Sequence, residues 1–552
     1  MRNGYSVKSE RKRCIGKIRI TASIILLTLS TCGVYRDRQR GLRCVQIILI
    51  VAVCSFTYTY SLMAQQLEAP KKRPNVLMIV ADDMNWDSPG CYGGAAKDIT
   101  PNIDSLASQG IMFQHAYVSI SICTPSRSVI LTGLFPHNNG AEGFQRIRPG
   151  TPTLPGILNE AGYLCGTVGK PLRQQELFRW SVTYRWQGVG DEDLWGRDPA
   201  VYRRFAKDLF AMAKTSKQPF FLMANSHDPH RPFGRGKATR DFEERAESSR
   251  TFSPKEVQVP GFLPDLPGVR EDLAGYCTSV RRLDDMVGAV IEELSIAGLE
   301  ENTIVIFLSD HGMPFPAAKF NCYVNSVRTP LIIRWPRQII NGSIDSTHMI
   351  SAIDLQPTIL DAVGLPPATA SDGRSFLPLL HGKSQTNRDN VYSQFYHIHG
   401  ADALPMYSVL TKQSIYIFNP WSNGERNFRR LGTASYKAMR EAAKTDTAMA
   451  ARIRHLIFRT VEESYNLRTD PNCLINLLGS DMTLTTEQNH EVEALRIKLR
   501  EWMVNVKDPA LDAFDRRNER AALEDFVQSY RKRAEQEVSE LKSYEAVKGY
   551  RF

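Results

Sequence analysis

Four short apolar runs constrain this chain more than any other feature. They are NVLMIVA (75–81), YLCGTVG (163–169), PFFLMANS (219–226) and TIVIFLS (303–309), each separated from the next by enough residues to hold helices. Runs of this length with no polar alternation predict strands buried on both faces, as in a parallel sheet with helices on each side. PLIIRW (330–335) predicts a further strand. Helix signals fall between the runs. TPNIDSLASQG (100–110) has Thr100 as cap, Pro101 in the first turn and Gly110 as stop; PTLPGILNEAG (152–162) predicts another helix, and residues 272–298 a long amphipathic one. The alternation predicts an α/β sandwich with a mostly parallel central sheet over residues 69–385. Beyond about 385 the pattern changes. SVLTKQSIYIFN and ESYNLRTDPN predict strands around turns and residues 485–503 a helix. The expectation is a smaller α+β domain over 386–510, then a charged helical tail over 511–552.

Charge placement excludes one class of function. The net charge of +10 suggests nucleic-acid binding, but residues 1–73 hold 14 Lys and Arg against 3 Asp and Glu, which leaves the rest of the chain near −1. A nucleic-acid binder carries its basic patch on the folded domain, so no nucleic-acid partner is expected. The basic leader has apolar runs at 20–34 and 44–64, with Arg36, Arg38, Arg40 and Arg43 before the second run and Ala64 at its end. Residues 1–68 therefore predict an export signal, which places the protein in the periplasm or outside the cell. The second run is also long enough to anchor an uncleaved chain, the one membrane contact expected. Six cysteines lie outside the leader, too few for a disulfide scaffold, and at most one or two bridges are expected.

The four runs share a second property: each ends in polar residues that the apolar pattern does not predict. NVLMIVA runs into Asp82-Asp83, YLCGTVG into Lys170, PFFLMANS into His227-Asp228-Pro229-His230, and TIVIFLS into Asp310-His311-Gly312. Singly, each ending is what an idle loop also carries. In an open α/β sheet, however, ligands bind beyond the carboxyl ends of the strands. If these strands are parallel neighbours, all four endings meet at one edge. A fifth stretch, SISICTPSRSVILTG (119–133), predicts a helix with Thr124 as cap and Pro125 in its first turn. Cys123 then stands just outside a helix N-terminus, where free N–H groups favour an anion, and Arg127 lies one turn along. The pattern leaves open a buried structural thiol, a nucleophile, or the precursor of another group.

RPNVLMIVADD, CTPSRSVILTG, VGK, HDPH and SDHG, in that order and followed by Lys319, resemble the sulfatases of the alkaline-phosphatase-like superfamily. The resemblance covers about residues 73–510, including ESYNLRTDPNCLINLL. It implies that Cys123 is oxidised to formylglycine by a maturation enzyme. Asp82, Asp83, Asp310 and His311 would hold a calcium ion, with the group derived from Cys123 as a further ligand. The formylglycine hydrate would attack sulfur, Arg127 would steady it, Lys170 and Lys319 would neutralise the sulfate oxygens, and His230 would protonate the leaving group. One departure stands out: relatives continue Gly-Lys-x-His where this chain has Gly169-Lys170-Pro171-Leu172. His137, in GLFPHNNG, is the candidate replacement, and His137 and His227 are candidate substrate contacts. HDPHRPFG and GMPFPAAKFN resemble the heparan N-sulfatase branch, which implies a sulfated saccharide as substrate and N-sulfated glucosamine within that class. A phosphodiesterase or phosphonate hydrolase of the same superfamily, or an inactive glycan-binding homologue, is the competing reading.

Overall fold

The four runs are strands, and they lie side by side in parallel. The computed structural model describes residues 73–170, 175–184, 196–233, 246–397, 403–428 and 433–548, so Leu172 and the 1–68 leader lie outside the described residues. In chain order the strands are β1 (Asn75–Ala81), β2 (Ile111–Phe113), β3 (Ala116–Tyr117), β4 (Leu164–Gly169), β5 (Val182–Thr183), β6 (Phe220–Asn225), β7 (Thr303–Ser309), β8 (Leu331–Arg334), β9 (Ser343–Asp345) and β10 (Ile350–Ser351). Eight of them form one sheet in the order β5-β4-β6-β1-β7-β8-β2-β9. From β5 to β7 every pairing is parallel. PLIIRW is a strand as expected, but β8 runs antiparallel to both of its neighbours, so the sheet is mixed and mostly parallel.

Each central strand feeds two cores, because successive side chains leave opposite faces of a sheet. Val76, Met78 and Val80 of β1 enter one hydrophobic core, with Ile304, Ile306 and Leu308 of β7. Leu77, Ile79 and Ala81 enter the other, with Val305 and Phe307. Residues from the helices Cys123–Thr132, Leu154–Glu160 and Leu355–Ala362 line the first core. Residues from Pro101–Ser108, Pro199–Ser216 and Pro267–Ile296 line the second. That double cover is why the runs are apolar throughout.

Strands β11 (Asn390–Phe395), β12 (Met406–Thr411), β13 (Ser414–Phe418) and β14 (Glu462–Asn466) form an antiparallel sheet. The helix Thr486–Asn505 opens with a capping box between Thr485 and Gln488 and packs against this sheet. The charged tail is the helix Arg520–Lys548, whose Val527, Tyr530 and Ala534 join the first core.

Local expectations change at three helix ends. Thr100 occupies the predicted cap position, but its hydroxyl donates to Asp104 and accepts from the Gly90 amide instead of capping. That helix ends at Ser108 with Gln109 as its C-cap, one residue before Gly110. The helix predicted to start at Pro125, with Thr124 as cap, starts at Cys123, and its N-cap is the extended residue Ile122, which offers no capping side chain. The six cysteines of the described residues are free thiols. Among the described residues, no helix is long and apolar enough to cross a membrane.

Candidate active site

The strand order β4-β6-β1-β7 brings the polar endings together at the carboxyl edge of the sheet. The connecting backbone is knotted tightly there. The Asp82 amide donates to the Asp228 carbonyl (3.0 Å), the Lys170 amide to Asn225 O (2.8 Å) and the Asp310 amide to Ala81 O (3.1 Å). Two glycines make these turns passable. A Cβ on Gly169, whose φ is +84°, would lie 2.0 Å from Asn225 O, and one on Gly312 would lie 1.9 Å from Asn325 O. Both sites therefore exclude any side chain.

Cys123 begins its helix directly over this edge, and Arg127 lies one turn further along. Arg127 is buried, with Nε donating to Asp310 Oδ2 (3.0 Å), Nη1 to Asn225 Oδ1 and Nη2 to Ala81 O (3.4 Å). Ser126 Oγ donates to the Asp310 carbonyl at 2.6 Å. Lys319 reaches in from the loop after β7. Its Nζ lies 2.7 and 2.9 Å from the two oxygens of Asp83 and 3.4 Å from Cys123 Sγ. Lys170 pairs with Asp82. His311 Nε2 lies 3.2 Å from Asp83 Oδ1 and 3.6 Å from Asp310 Oδ1, and His230 Nε2 lies 3.8 Å from Asp83 Oδ2.

These charges decide each other's protonation. Burial would raise the Asp82 carboxyl, but Lys170, His230, Arg127 and Lys319 overturn that and hold it well below its usual value. For Asp83, burial and the charges of Asp82 and Asp310 outweigh Lys319 and His311, so its affinity for a proton rises. Burial opposes charge on His311, yet Asp310 and Asp83 pull it up to about 9. His230 goes the other way: burial, then Lys319 and Lys170, hold it well below the usual imidazole range. His227 falls to about 3, from burial and the charges of Lys170 and Arg197, and its buried Nε2 has no hydrogen-bond partner.

The residues fit a bound cation. One ligand atom from each of Asp82, Asp83, Cys123 and His311 lies within 4.8 Å of the others, and all four residues are buried. Asp82 Oδ1 and His311 Nε2 are buried without a hydrogen-bond partner, which is how unfilled ligand positions present themselves. Asp310 flanks the cluster and is the residue that ties it to Arg127. The three carboxylates Asp82, Asp83 and Asp310 are matched by Lys170, Lys319 and Arg127. A divalent cation on the carboxylates would free the two ammoniums to face an anion.

One candidate is elsewhere. His137 lies in the short helix Pro136–Asn139, beyond the C-terminal end of the ten-residue helix that Cys123 begins. Such a helix is about 15 Å long. Both ring nitrogens are also engaged, Nε2 with Val506 O (3.1 Å) and Nδ1 with Gln394 Nε2 (3.1 Å) and Asp508 Oδ2 (3.4 Å). His137 is therefore a strut under the C-terminal segment, at the far end of that helix from Cys123.

Two further residues, Asn225 and Asp228, hold the site together in ways their local sequence does not assign. Asn225, the polar member of FFLMAN, holds Arg127 and donates to Thr167 Oγ1 at 3.1 Å. Its place inside an apolar run was the available signal. Asp228 binds Arg197 and Arg282 at once, and Arg197 Nη2 donates to the His230 carbonyl at 3.2 Å, which fixes the loop carrying both histidines.

A family model described as Sulfatase matches residues 74–365, and one described as N-sulphoglucosamine sulphohydrolase, C-terminal, matches residues 317–419. The chain is 30% identical over 488 residues to the N-sulphoglucosamine sulphohydrolase of Homo sapiens, covering 81% of this chain and 93% of that one. It is 27% identical over 502 residues to an ulvan-active sulfatase of Formosa agariphila, covering 81% and 77% respectively. A solved structure described as a complex with its substrate D-glucosamine-2-N,6-O-disulfate superposes with a TM-score of 0.56 at 21% identity, covering 79% of this chain and 99% of that one. At that identity the likeness is one of fold.

Proposed function

This chain belongs to the sulfatase family and hydrolyses sulfate esters or sulfamates; from that premise we propose that its substrate is a sulfated saccharide, that Cys123 is matured to formylglycine, and that calcium is its metal. The observation that carries the reading is the position of Cys123. Its sulfur begins a helix 3.4 Å from the Lys319 ammonium, within one cluster with Asp82, Asp83 and His311. A thiol nucleophile is commonly paired with a histidine base. Here the neighbouring histidine, His311, belongs to a cluster of metal-ligand type with Asp82 and Asp83, and a lysine ammonium also faces the sulfur.

Asp82, Asp83, Asp310 and His311 would hold the ion, and oxygen-rich ligation suits calcium. Formylglycine, as its hydrate, supplies an oxygen nucleophile and a second hydroxyl for later sulfate release, and calcium supplies Lewis-acid polarisation. The other tasks fall to the chain's own side chains. Lys170 and Lys319 bind the anionic oxygens, and Arg127 keeps Asp310 and the first helical turn in place. His230 rests neutral in the free site. A sulfate lodged between the two lysines offsets their repulsion and lets Nε2 carry the proton that the departing oxygen or nitrogen takes up. The human relative and the C-terminal family model favour the N-sulfate of glucosamine as the bond cleaved. The basic leader fits a protein exported to the periplasm or beyond.

The test is turnover of paired substrates by protein co-expressed with a maturation enzyme. N-sulfoglucosamine and O-sulfated monosaccharides are compared with the matching phosphate esters. Release of sulfate from the N-sulfated sugar supports the reading. Preferential release of phosphate would replace it with a phosphohydrolase, and saccharide binding without turnover would replace it with a non-catalytic homologue.

A further inference from the structure

Lys319 sits on an unusual piece of backbone. Ala317 and Phe320, on either side of it, have φ of +63° and +69°, in the left-handed region that side chains other than glycine rarely adopt. Such residues stay there only when their surroundings dictate it. The Phe320 amide donates to Ser121 O at 3.1 Å, and Ser121 Oγ donates to Asn321 O at 2.5 Å, which ties the loop to the segment leading into Cys123. The Asn321 side chain then secures Lys319 itself, its Nδ2 donating to Lys319 O (3.0 Å) and Ala318 O (3.3 Å).

An amide side chain can turn over, so something must choose which end faces the loop. Arg459 does. It lies at the end of the helix Thr447–Phe458, between β13 and β14, and reaches 138 residues back in sequence. Its Nη2 donates to Asn321 Oδ1 at 2.6 Å, which leaves Nδ2 as the end that must face Lys319. Nη1 donates to Tyr323 OH, and that hydroxyl donates to Glu463 at 2.8 Å. The guanidinium also lies 4.7 Å over the Tyr323 ring. The residue is buried, with its own φ at +57°.

We propose that Arg459, supplied by the C-terminal antiparallel sheet region, is a positioning residue for catalysis: through Asn321 it fixes the loop that holds Lys319 against Cys123 and Asp83. This rests on the reading of Lys319 as a sulfate-facing group. It gives the C-terminal region a part in the reaction although none of its described residues enters the ligand cluster.

The test measures kcat and KM for the N-sulfated sugar in the matured wild type, Arg459→Met, Arg459→Lys, Lys319→Met and the Arg459→Met/Lys319→Met double variant, with thermal unfolding of each. Losing an orienting partner one shell out lowers activity roughly 10- to 100-fold. Arg459→Met should fall within that range in kcat, with KM changed less, and Arg459→Lys should recover part of the loss because one donor can still reach Asn321. In the double variant the Arg459 change should add almost nothing, since its effect runs through Lys319. Full additivity, or an Arg459→Met kcat equal to wild type, overturns the proposal. If Lys319→Met itself turns over normally, the reading of Lys319 fails instead. A folded Arg459→Gln with reduced kcat serves if Arg459→Met does not fold, and a folded Arg459→Gln at wild-type kcat overturns the proposal equally.

Discussion

Replacing Asp228 with asparagine removes a negative charge held between two buried guanidiniums. Asp228 is fully buried and accepts from Arg282 Nε (2.6 Å) and Nη2 (2.9 Å) and from Arg197 Nη1. Asparagine keeps the shape and can accept through one oxygen, but it cannot neutralise either arginine. Breaking a buried ion pair from one side destabilises by about 3–5 kcal/mol, because the remaining charge stays desolvated. At about 2–4 °C per kcal/mol for a domain of some 200 residues, and less for a larger one, the melting temperature should fall by about 5–15 °C. Activity should fall too, since the Asp228 carbonyl holds the Asp82 amide and Arg197 holds the His230 carbonyl. Scanning calorimetry of Asp228→Asn beside Arg197→Met checks the reasoning. Arg197→Met leaves a one-to-one pair with Arg282 and should cost less than half as much. If Asp228→Asn melts within 2 °C of wild type, or if Arg197→Met is the worse variant, the carboxylate is not what secures this loop.

Two other perturbations separate charge from packing. Asp508, buried and flanked by His137, Gln394, Glu142 and Arg533, is raised to about 7 by burial, with Glu142 adding to the effect of burial. A carboxyl whose folded value exceeds its unfolded one destabilises the fold as it ionises, so the penalty is absent below about pH 4 and grows as the pH rises towards 7. Asp508→Asn should therefore be more stable than wild type at pH 8 by about 1–3 kcal/mol and show little difference at pH 4; denaturant titration at both values checks this, and equal differences would contradict it. Calcium at 100 times its dissociation constant should stabilise the matured protein by about 2.7 kcal/mol. Asp83→Asn should abolish that gain in melting temperature, and an undiminished calcium response would place the ion elsewhere.

The sheet and much of the site were legible because burial on both faces leaves no room for polar residues except at strand ends. Asp82, Asp83, Lys170, His230, Asp310 and His311 stood out against that background, and the parallel order β4-β6-β1-β7 brings them together. Legibility stopped where contacts are distant or a helix intervenes. His137 is fourteen residues from Cys123 in sequence, but the helix between them carries it to the far side. Arg459 meets Asn321 across 138 residues, and nothing in its local sequence marks it. The Cys123 helix starts two residues earlier than its sequence signals suggest. It begins from the extended, uncapped Ile122, whose side chain gives no local signal of a helix start.

The chemistry proposed for this site depends on Cys123 being a precursor rather than a working thiol. Peptide mass spectrometry across residues 119–133, on protein co-expressed with a formylglycine-generating enzyme, tests it most directly. The expected result is an aldehyde at position 123 in proportion to specific sulfatase activity, and neither in Cys123→Ala. An unmodified thiol in fully active protein would contradict it.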